Sequence, residues 1–382
     1  MRLFKRPKRI NLALQGGGAH GAFTWGVLDQ FLAADDIEIG WLSGASAGAL
    51  NAVALAHGLA AGDKALARET LTSLWRGIEK AGVPDFVRLN PFLSGFAKSG
   101  SLPNITNLFS PYEFNPMGFD PLRDLINEHI DFERIRRDCP VDLVVSATDV
   151  ATGRARHFRK SELSVDVVLA SACLPMLHHA VEIDGRAYWD GGFSANPDCL
   201  TIAAESPVRD TLIVQLNPFN KPGAPKSPRE IEDRVNTITF NQPLIRDIEA
   251  IVLAQEHRDG WMAKRGSKLA HLRAHRFHLI EAGRHTAGLG SDTKALPDNG
   301  LLTYLQGAGR IEAAKWIDRN KRDIGRRSTI DLRARYLSDQ PDVPFQTGLP
   351  DSDTTGEPLL PVEPAGNAGT NGGRTGRAAK AS

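Results

Sequence analysis

Three short clusters in the sequence hold residue types that could do chemistry together. Ser46 stands in Gly44-Ala45-Ser46-Ala47-Gly48, a G-x-S-x-G pattern; Gly16-Gly17-Gly18 is a run of bare backbone; Asp190 precedes Gly191-Gly192. A serine hydroxyl is a weak nucleophile unless a base takes its proton or the anion formed is stabilised. Aspartate is a weak base, so a Ser–Asp pair works only where other groups hold the negative charge. Consecutive glycines between a strand and a helix can offer a row of backbone N–H groups for that purpose. One oxyanion donor is worth about 3–4 kcal/mol in mutational tests, so two donors and a helix dipole would offset an ordinary base. The chemistry these residues fit is acyl transfer to water through an acyl-serine intermediate.

The flanking segments must position them. Ile37–Leu42 reads as a strand and Ala49–Ala56 as a helix, which puts Ser46 in the sharp strand–turn–helix that exposes a nucleophile. Gly44 and Gly48 leave the room such a turn needs. Ile10–Leu14 reads as a buried strand, and Phe23, Val27, Leu28, Phe31 and Leu32 recur at helical spacing. The glycines, with Ala19, His20 and Gly21, lie between these two elements. A dinucleotide site would need an acidic ribose partner after the second strand, where Gly44–Gly48 stands instead. A phosphate loop would need a following Gly-Lys-Ser/Thr, and none is present. A plain tight turn is the remaining alternative for the glycines. Val181–Ile183 and Arg186–Trp189 flank Asp184-Gly185, a hairpin signal that sets Asp190 at a strand end.

In that order, the glycine loop, the G-x-S-x-G serine and the Asp-Gly-Gly aspartate resemble the patatin-like phospholipase family. Ala170-Ser171-Ala172-Cys173-Leu174-Pro175 and Asn196-Pro197 add to the likeness, which spans roughly residues 8 to 217. The resemblance implies a three-layer α/β/α hydrolase with a mainly parallel central sheet and extra C-terminal helices. It implies Ser46 as nucleophile and Asp190 as its base, a dyad without histidine. The oxyanion hole would come from Gly16, Gly17 and Gly18, with the Gly17 and Gly18 N–H groups lining it. Gly21, Gly44, Gly48, Gly191, Gly192 and His20 would support the motifs. The implied substrate is a phospholipid, lysophospholipid or other acyl lipid met by peripheral contact with a membrane, with no cofactor and no metal. Many members carry Arg or Lys where this chain has His20, a departure that bears on substrate preference more than on reaction class. A soluble carboxylesterase, thioesterase or acyltransferase, and a lipid-binding scaffold without turnover, are the alternatives.

A full triad would pair Ser46 and Asp190 with a histidine such as His257 or His278. Against it, the oxyanion glycines follow the first strand and the serine the second, and none of the eleven histidines has a recognisable catalytic context. His178-His179 on an extended segment would face opposite ways, which speaks against a joint role. His57, beside Gly58, reads as a favourable charge or cap at the end of the helix after Ser46. Cys139, Cys173 and Cys199 are odd in number and sit in apolar contexts, the pattern of buried thiols without disulfide or metal-ligand spacing.

The 382 residues, 41% hydrophobic with net charge +1, can build one large α/β core and carry no general attraction to nucleic acid. Basic residues near the N-terminus precede a strand, with no signal-peptide core, so the expected location is cytoplasmic, peripheral at the membrane. One hydrolase domain is expected over residues 8–335, with the motifs in 8–217 and a helical part in 218–335. From Ser338 the composition predicts a disordered tail, 338–382. Residues 121–137 read as one helix and Arg229–Lys268 as largely helical. Between residues 86 and 119, seven aromatic residues sit among Pro, Gly, Ser and Asn with no period. That stretch reads as an irregular wrap over the core or as a cap that presents rings to lipid.

Overall fold

The computed structural model describes residues 7–81, 110–118, 120–256, 267–290 and 292–338. Among the described residues eight strands form one mixed sheet: β1 (Lys8–Leu14), β2 (Ile37–Gly44), β3 (Leu143–Asp149), β4 (Ala155–Arg159), β5 (Val181–Ile183), β6 (Arg186–Asp190), β7 (Asp210–Gln215) and β8 (Arg276–Glu281). The parallel pairs β3–β2, β2–β1, β1–β7 and β7–β8 make its centre. β4 and β6 join β3 antiparallel, and β5 joins β6 antiparallel.

Alternation along the central strands explains the layers. Leu12 and Leu14 of β1 and Leu212 and Val214 of β7 enter one core; Ala13 and Ile213 between them enter the other. On the first face pack α1 (Ala22–Leu32), α2 (Ala47–Ala60), α3 (Lys64–Ala81) and the helix Asn299–Asn320. On the second pack the helices Leu200–Glu205, Pro228–Glu256 and Leu332–Tyr336. Strands covered on both sides carry apolar runs, Leu12–Leu14 in β1, Leu143–Val145 in β3 and Leu212–Val214 in β7, and the buried polar residues beside them, such as Asn11 and Asp210, are hydrogen-bonded. The fold is thus the expected α/β/α arrangement.

The C-terminal part is built into this core. A Cβ on Gly26 of α1 would lie 2.0 Å from the Gln306 carbonyl oxygen, and one on Gly309 would lie 2.0 Å from that of Phe23. Two glycines therefore let α1 and the helix Asn299–Asn320 approach backbone to backbone. Among the described residues no helix is long and apolar enough to cross a membrane.

Register brings the two chemistry-bearing turns together. β4 pairs along β3 from Val144 to Thr148, so β2 and β6 both take the other edge of β3. β2 approaches from one end, with its last residue Gly44 opposite Val145. β6 comes from the other, with its last residue Asp190 opposite Ala147. The two strands run toward each other and end on either side of Ser146. Asp184 (φ 51°) and Gly185 (φ 72°) form the expected hairpin turn that sends β6 there.

Two local expectations change. Residues 121–137 form two helices, Pro121–His129 and Phe132–Asp138, because Ile130 is extended and Asp131 caps the second by accepting from the Arg134 N–H at 2.9 Å. His57 is an acceptor rather than a cation: its Nδ1 receives the Asp131 N–H at 3.1 Å, and burial lowers its pKa. Most of the aromatic stretch 86–119, His257, the end of the 229–268 reading and the tail beyond Ser338 lie outside the described residues.

Candidate active site

Ser46 is the N-cap of α2 and adopts φ 53°, ψ −126°, a conformation that L-residues rarely hold. Strain of that kind persists only where the surroundings over-determine it. Here the Ser46 N–H donates to the Ser171 carbonyl at 3.1 Å and to Ser171 Oγ at 3.0 Å, and Ser171 Oγ donates on to the Ser146 carbonyl at 2.6 Å. Gly44 and Gly48 earn their places by contact: a Cβ on Gly44 would stand 2.5 Å from the Gly48 carbonyl, and one on Gly48 2.1 Å from that of Leu14. Gly21 is likewise closed in by Ala47 and Trp75. The helix N-terminus and its dipole therefore begin at the serine.

Asp190 is 1% exposed and fixed at three points. Its N–H donates to the Cys173 carbonyl (2.8 Å), its carbonyl accepts from Thr148 Oγ1 (2.7 Å), and its Oδ1 accepts from the Gly192 N–H (2.7 Å). Gly191 lies flat on the Ser146 carbonyl, where a Cβ would come within 2.0 Å, and against Ala45. Gly192 is similarly covered by Phe240. Burial raises the Asp190 pKa to about 6, opposed by the Ser46 hydroxyl and the Gly192 N–H, which both favour the carboxylate. Oδ2 is buried and completes no hydrogen bond, so the Ser46 interaction is looser than a full bond.

The glycine loop separates into two functions. Gly16 is buried with its Cα against Ser46, where a Cβ would meet Ser46 Cβ at 2.8 Å. Its N–H donates to Asn196 Oδ1 at 2.7 Å, so the expectation that Gly16 is an oxyanion donor is corrected: that donor is spent on holding the loop. Gly17 and Gly18 are partly exposed, and among the described residues their N–H groups meet no acceptor. Gly18 takes φ 56°. Gln15 anchors the base of the loop: its Oε1 accepts the Leu216 and Asn217 N–H groups (2.7 and 2.9 Å), and its Nε2 donates to Asn241 Oδ1 at 3.1 Å. Gln15, Ser171, Asn196 and Asn241 escaped the sequence reading as site residues. Only Ser171 and Asn196 had a signal, inside the segments that carry the family likeness.

His20, placed beside the loop as expected, is buried and bonds Thr293 Oγ1 through Nε2 at 2.8 Å. Burial, then the charges of Lys294 and Lys221, lower its pKa to about 4, so it is neutral. Among the described residues, two further histidines come under consideration for a triad. His278 bonds Thr329 Oγ1 (2.9 Å) and Asp210 Oδ1 (3.2 Å) under full burial. His157 comes nearest to a triad, since its Nδ1 lies 3.1 Å from Ser146 Oγ and 3.3 Å from Asp198 Oδ2. Both contacts use one nitrogen, and Ser146 is fully buried, so no proton relay to a substrate is built there. His178 and His179 do not face opposite ways as expected. The chain turns at residues 174–178, and both residues line one cavity of about 220 Å³ with Cys173, Asp120 and Glu182. His179 is tied to the Pro111 carbonyl and stacks on Tyr112, with centroids 4.1 Å apart.

Among the described residues no group of three or more His, Cys, Asp or Glu side chains converges to hold a metal. All three cysteines are buried and unpaired, and burial pushes the Cys173 thiol up to about 12.

Residues 12–202, half of the chain, match the patatin-like phospholipase family. The protein therefore belongs to that family of lipid acyl hydrolases. No curated protein matches it. The crystal structure of VipD from Legionella pneumophila is similar to it at 15% identity and a TM-score of 0.40, covering 82% of this chain and 67% of that one.

Proposed function

We propose that the protein is a serine lipid acyl hydrolase that cleaves acyl esters of phospholipids or lysophospholipids with a Ser46–Asp190 dyad. The observation that carries this is the convergence on β3: the strained serine elbow and the fixed carboxyl end on one strand edge around Ser146. In the first step Ser46 Oγ attacks the acyl carbonyl while Asp190 accepts its proton. The Gly17 and Gly18 N–H groups, with the N-terminus of α2, hold the oxyanion. The alcohol leaves with the proton returned by Asp190. Water then attacks the acyl-serine, giving a proton to Asp190, which passes it to the departing Ser46 Oγ as the fatty acid is released.

Peripheral contact with a membrane is supported by the helix Pro228–Glu256. Ile231, Val235 and Ile238 recur on one of its faces and are 46%, 57% and 51% exposed. The same helix reaches the site, since Phe240 packs on Phe193 with centroids 4.9 Å apart and its carbonyl accepts from Asn196 Nδ2 at 2.9 Å. An apolar stripe beside a lipid-cleaving site fits the surface from which the substrate must come. The test is release of fatty acid from phospholipid vesicles by wild type and Ser46→Ala. The reading predicts release by the first only. Equal release by both would move the chemistry away from Ser46.

A further inference from the structure

The segment Asp292–Ala295 lies some 275 residues from the glycine loop in sequence and is folded directly onto it. A Cβ on Gly18 would stand 2.3 Å from the Lys294 carbonyl oxygen, so loop and segment meet backbone to backbone. Thr293 Oγ1 donates to the Gly290 carbonyl at 2.7 Å, leaving it an acceptor toward His20. His20 Nε2 must then carry the hydrogen of their 2.8 Å bond, and His20 Nδ1 is a bare, buried nitrogen without a partner. The imidazole beside the loop is therefore an uncharged strut. Lys294 of this segment brings a cation to this arrangement, and its Nζ donates to Asn236 Oδ1 at 2.9 Å. His20 of the loop, Lys221 from the turn after β7 and Asp233 of the helix Pro228–Glu256 line the same space with it. That space measures only about 10 Å³, scarcely one water, so no substrate head group enters it.

We propose that Lys294 is a positioning residue of the oxyanion loop, holding Gly18 through its backbone and supplying, through its ammonium, the positive charge behind the loop's N–H groups. This rests on the reading of Ser46 as nucleophile. An ammonium removed from water interacts with a nearby developing oxyanion more strongly than an exposed one, because less solvent screens it. Burial is also the main cause that pulls the Lys294 pKa down to about 8; Lys221 adds to the shift and Asp233 opposes it. The charge is thus largely present at neutral pH and fades as pH rises through about 8.

The experiment measures kcat and KM on a neutral soluble ester from pH 5 to 10 for wild type, Lys294→Met and Lys294→Arg, with melting temperatures. Lys294→Met is expected to lose about tenfold in kcat, less than the 10²–10³ of a direct donor, with KM little changed. It should also lose an alkaline decline that wild type shows near pH 8. Lys294→Arg should keep most of kcat and show that decline only at higher pH, since guanidinium stays protonated. A wild type without the decline overturns the electrostatic role even if the Met variant folds poorly. So does equal impairment of the Met and Arg variants, which would mean packing alone. Ser46→Ala serves as control: activity in that variant sinks the nucleophile assignment, whereas an inactive Ser46→Ala beside an unaffected Lys294→Met sinks only the role of Lys294.

Discussion

The Gly16 N–H donates to Asn196 Oδ1 at 2.7 Å across 180 residues of sequence, tying the glycine loop to the segment that follows Asp190. The same side chain reaches the Phe240 carbonyl with Nδ2 at 2.9 Å, so one amide fixes the loop, the aspartate segment and the helix Pro228–Glu256 to one another. Asn196→Ala would leave the buried Gly16 N–H without its acceptor, at roughly 1–3 kcal/mol, and would remove the tie to the Phe240 carbonyl. We expect a clearly lowered melting temperature and a loss of at least about tenfold in kcat, with KM less affected. Steady-state kinetics beside thermal melts check this, and an unchanged kcat would show that the loop holds its shape without Asn196.

In the proposed mechanism the acidity of Asp190 sets the acid side of the pH profile. A base must be ionised, so kcat/KM should fall as pH drops through about 6, where burial has placed this group. The same shift acts on stability with the opposite sense. Because the folded-state pKa is raised above its unfolded value, the group favours folding below about pH 4 and loses that contribution as pH rises through 6. Asp190→Asn keeps an acceptor for the Gly192 N–H and removes the buried charge. It should be inactive and more stable than wild type by about 2–3 kcal/mol at pH 8, from the 1.36 kcal/mol per pKa unit of linkage. Denaturant melts at pH 5 and pH 8 measure this, and a destabilised Asn variant at pH 8 would contradict it.

Histidine substitutions separate dyad from triad. His57, His157, His178 and His179 should each tolerate Gln with less than about tenfold loss in kcat/KM, whereas loss of a triad histidine costs several orders of magnitude. His157→Gln is the decisive one, since its ring bridges Ser146 and Asp198. Collapse of activity in a folded His157→Gln protein would place a histidine in the mechanism.

The exposed face of the helix Pro228–Glu256 gives a prediction about the substrate surface. Ile231→Asp with Val235→Asp and Ile238→Asp should cut hydrolysis of vesicle phospholipid by about tenfold or more while leaving a soluble short-chain ester unaffected, for the change removes about 2 kcal/mol or more of apolar transfer without touching the site. Parallel assays on the two substrates decide it. Equal losses on both would mean that the face supports the fold rather than lipid contact.

What the sequence displayed was whatever covalent spacing controls. The serine elbow needs Gly44 and Gly48 within two residues of Ser46, and the Asp184-Gly185 turn aims β6 at β3, so both could be read locally. The break at Asp131 was hidden because Leu122, Leu125, Ile126 and Ile130 keep a helical period right up to it. What Gly16, Ser171, Asn196 and Lys294 do depends on partners brought by packing from 125 to about 275 residues away. No local pattern says that one glycine N–H of three will be spent on an asparagine. His20 shows the same limit: its type was legible, but its neutrality comes from burial and from lysines 201 and 274 positions further along.

The most direct test of the dyad is intact-mass and peptide mapping after a fluorophosphonate probe, with labelling rates taken from pH 4.5 to 8. One adduct is expected, on Ser46, whose rate rises with pH through about 6 in wild type and is lower by orders of magnitude, without that rise, in Asp190→Asn. An adduct on another residue, or an Asp190→Asn protein that labels as fast as wild type, would contradict it.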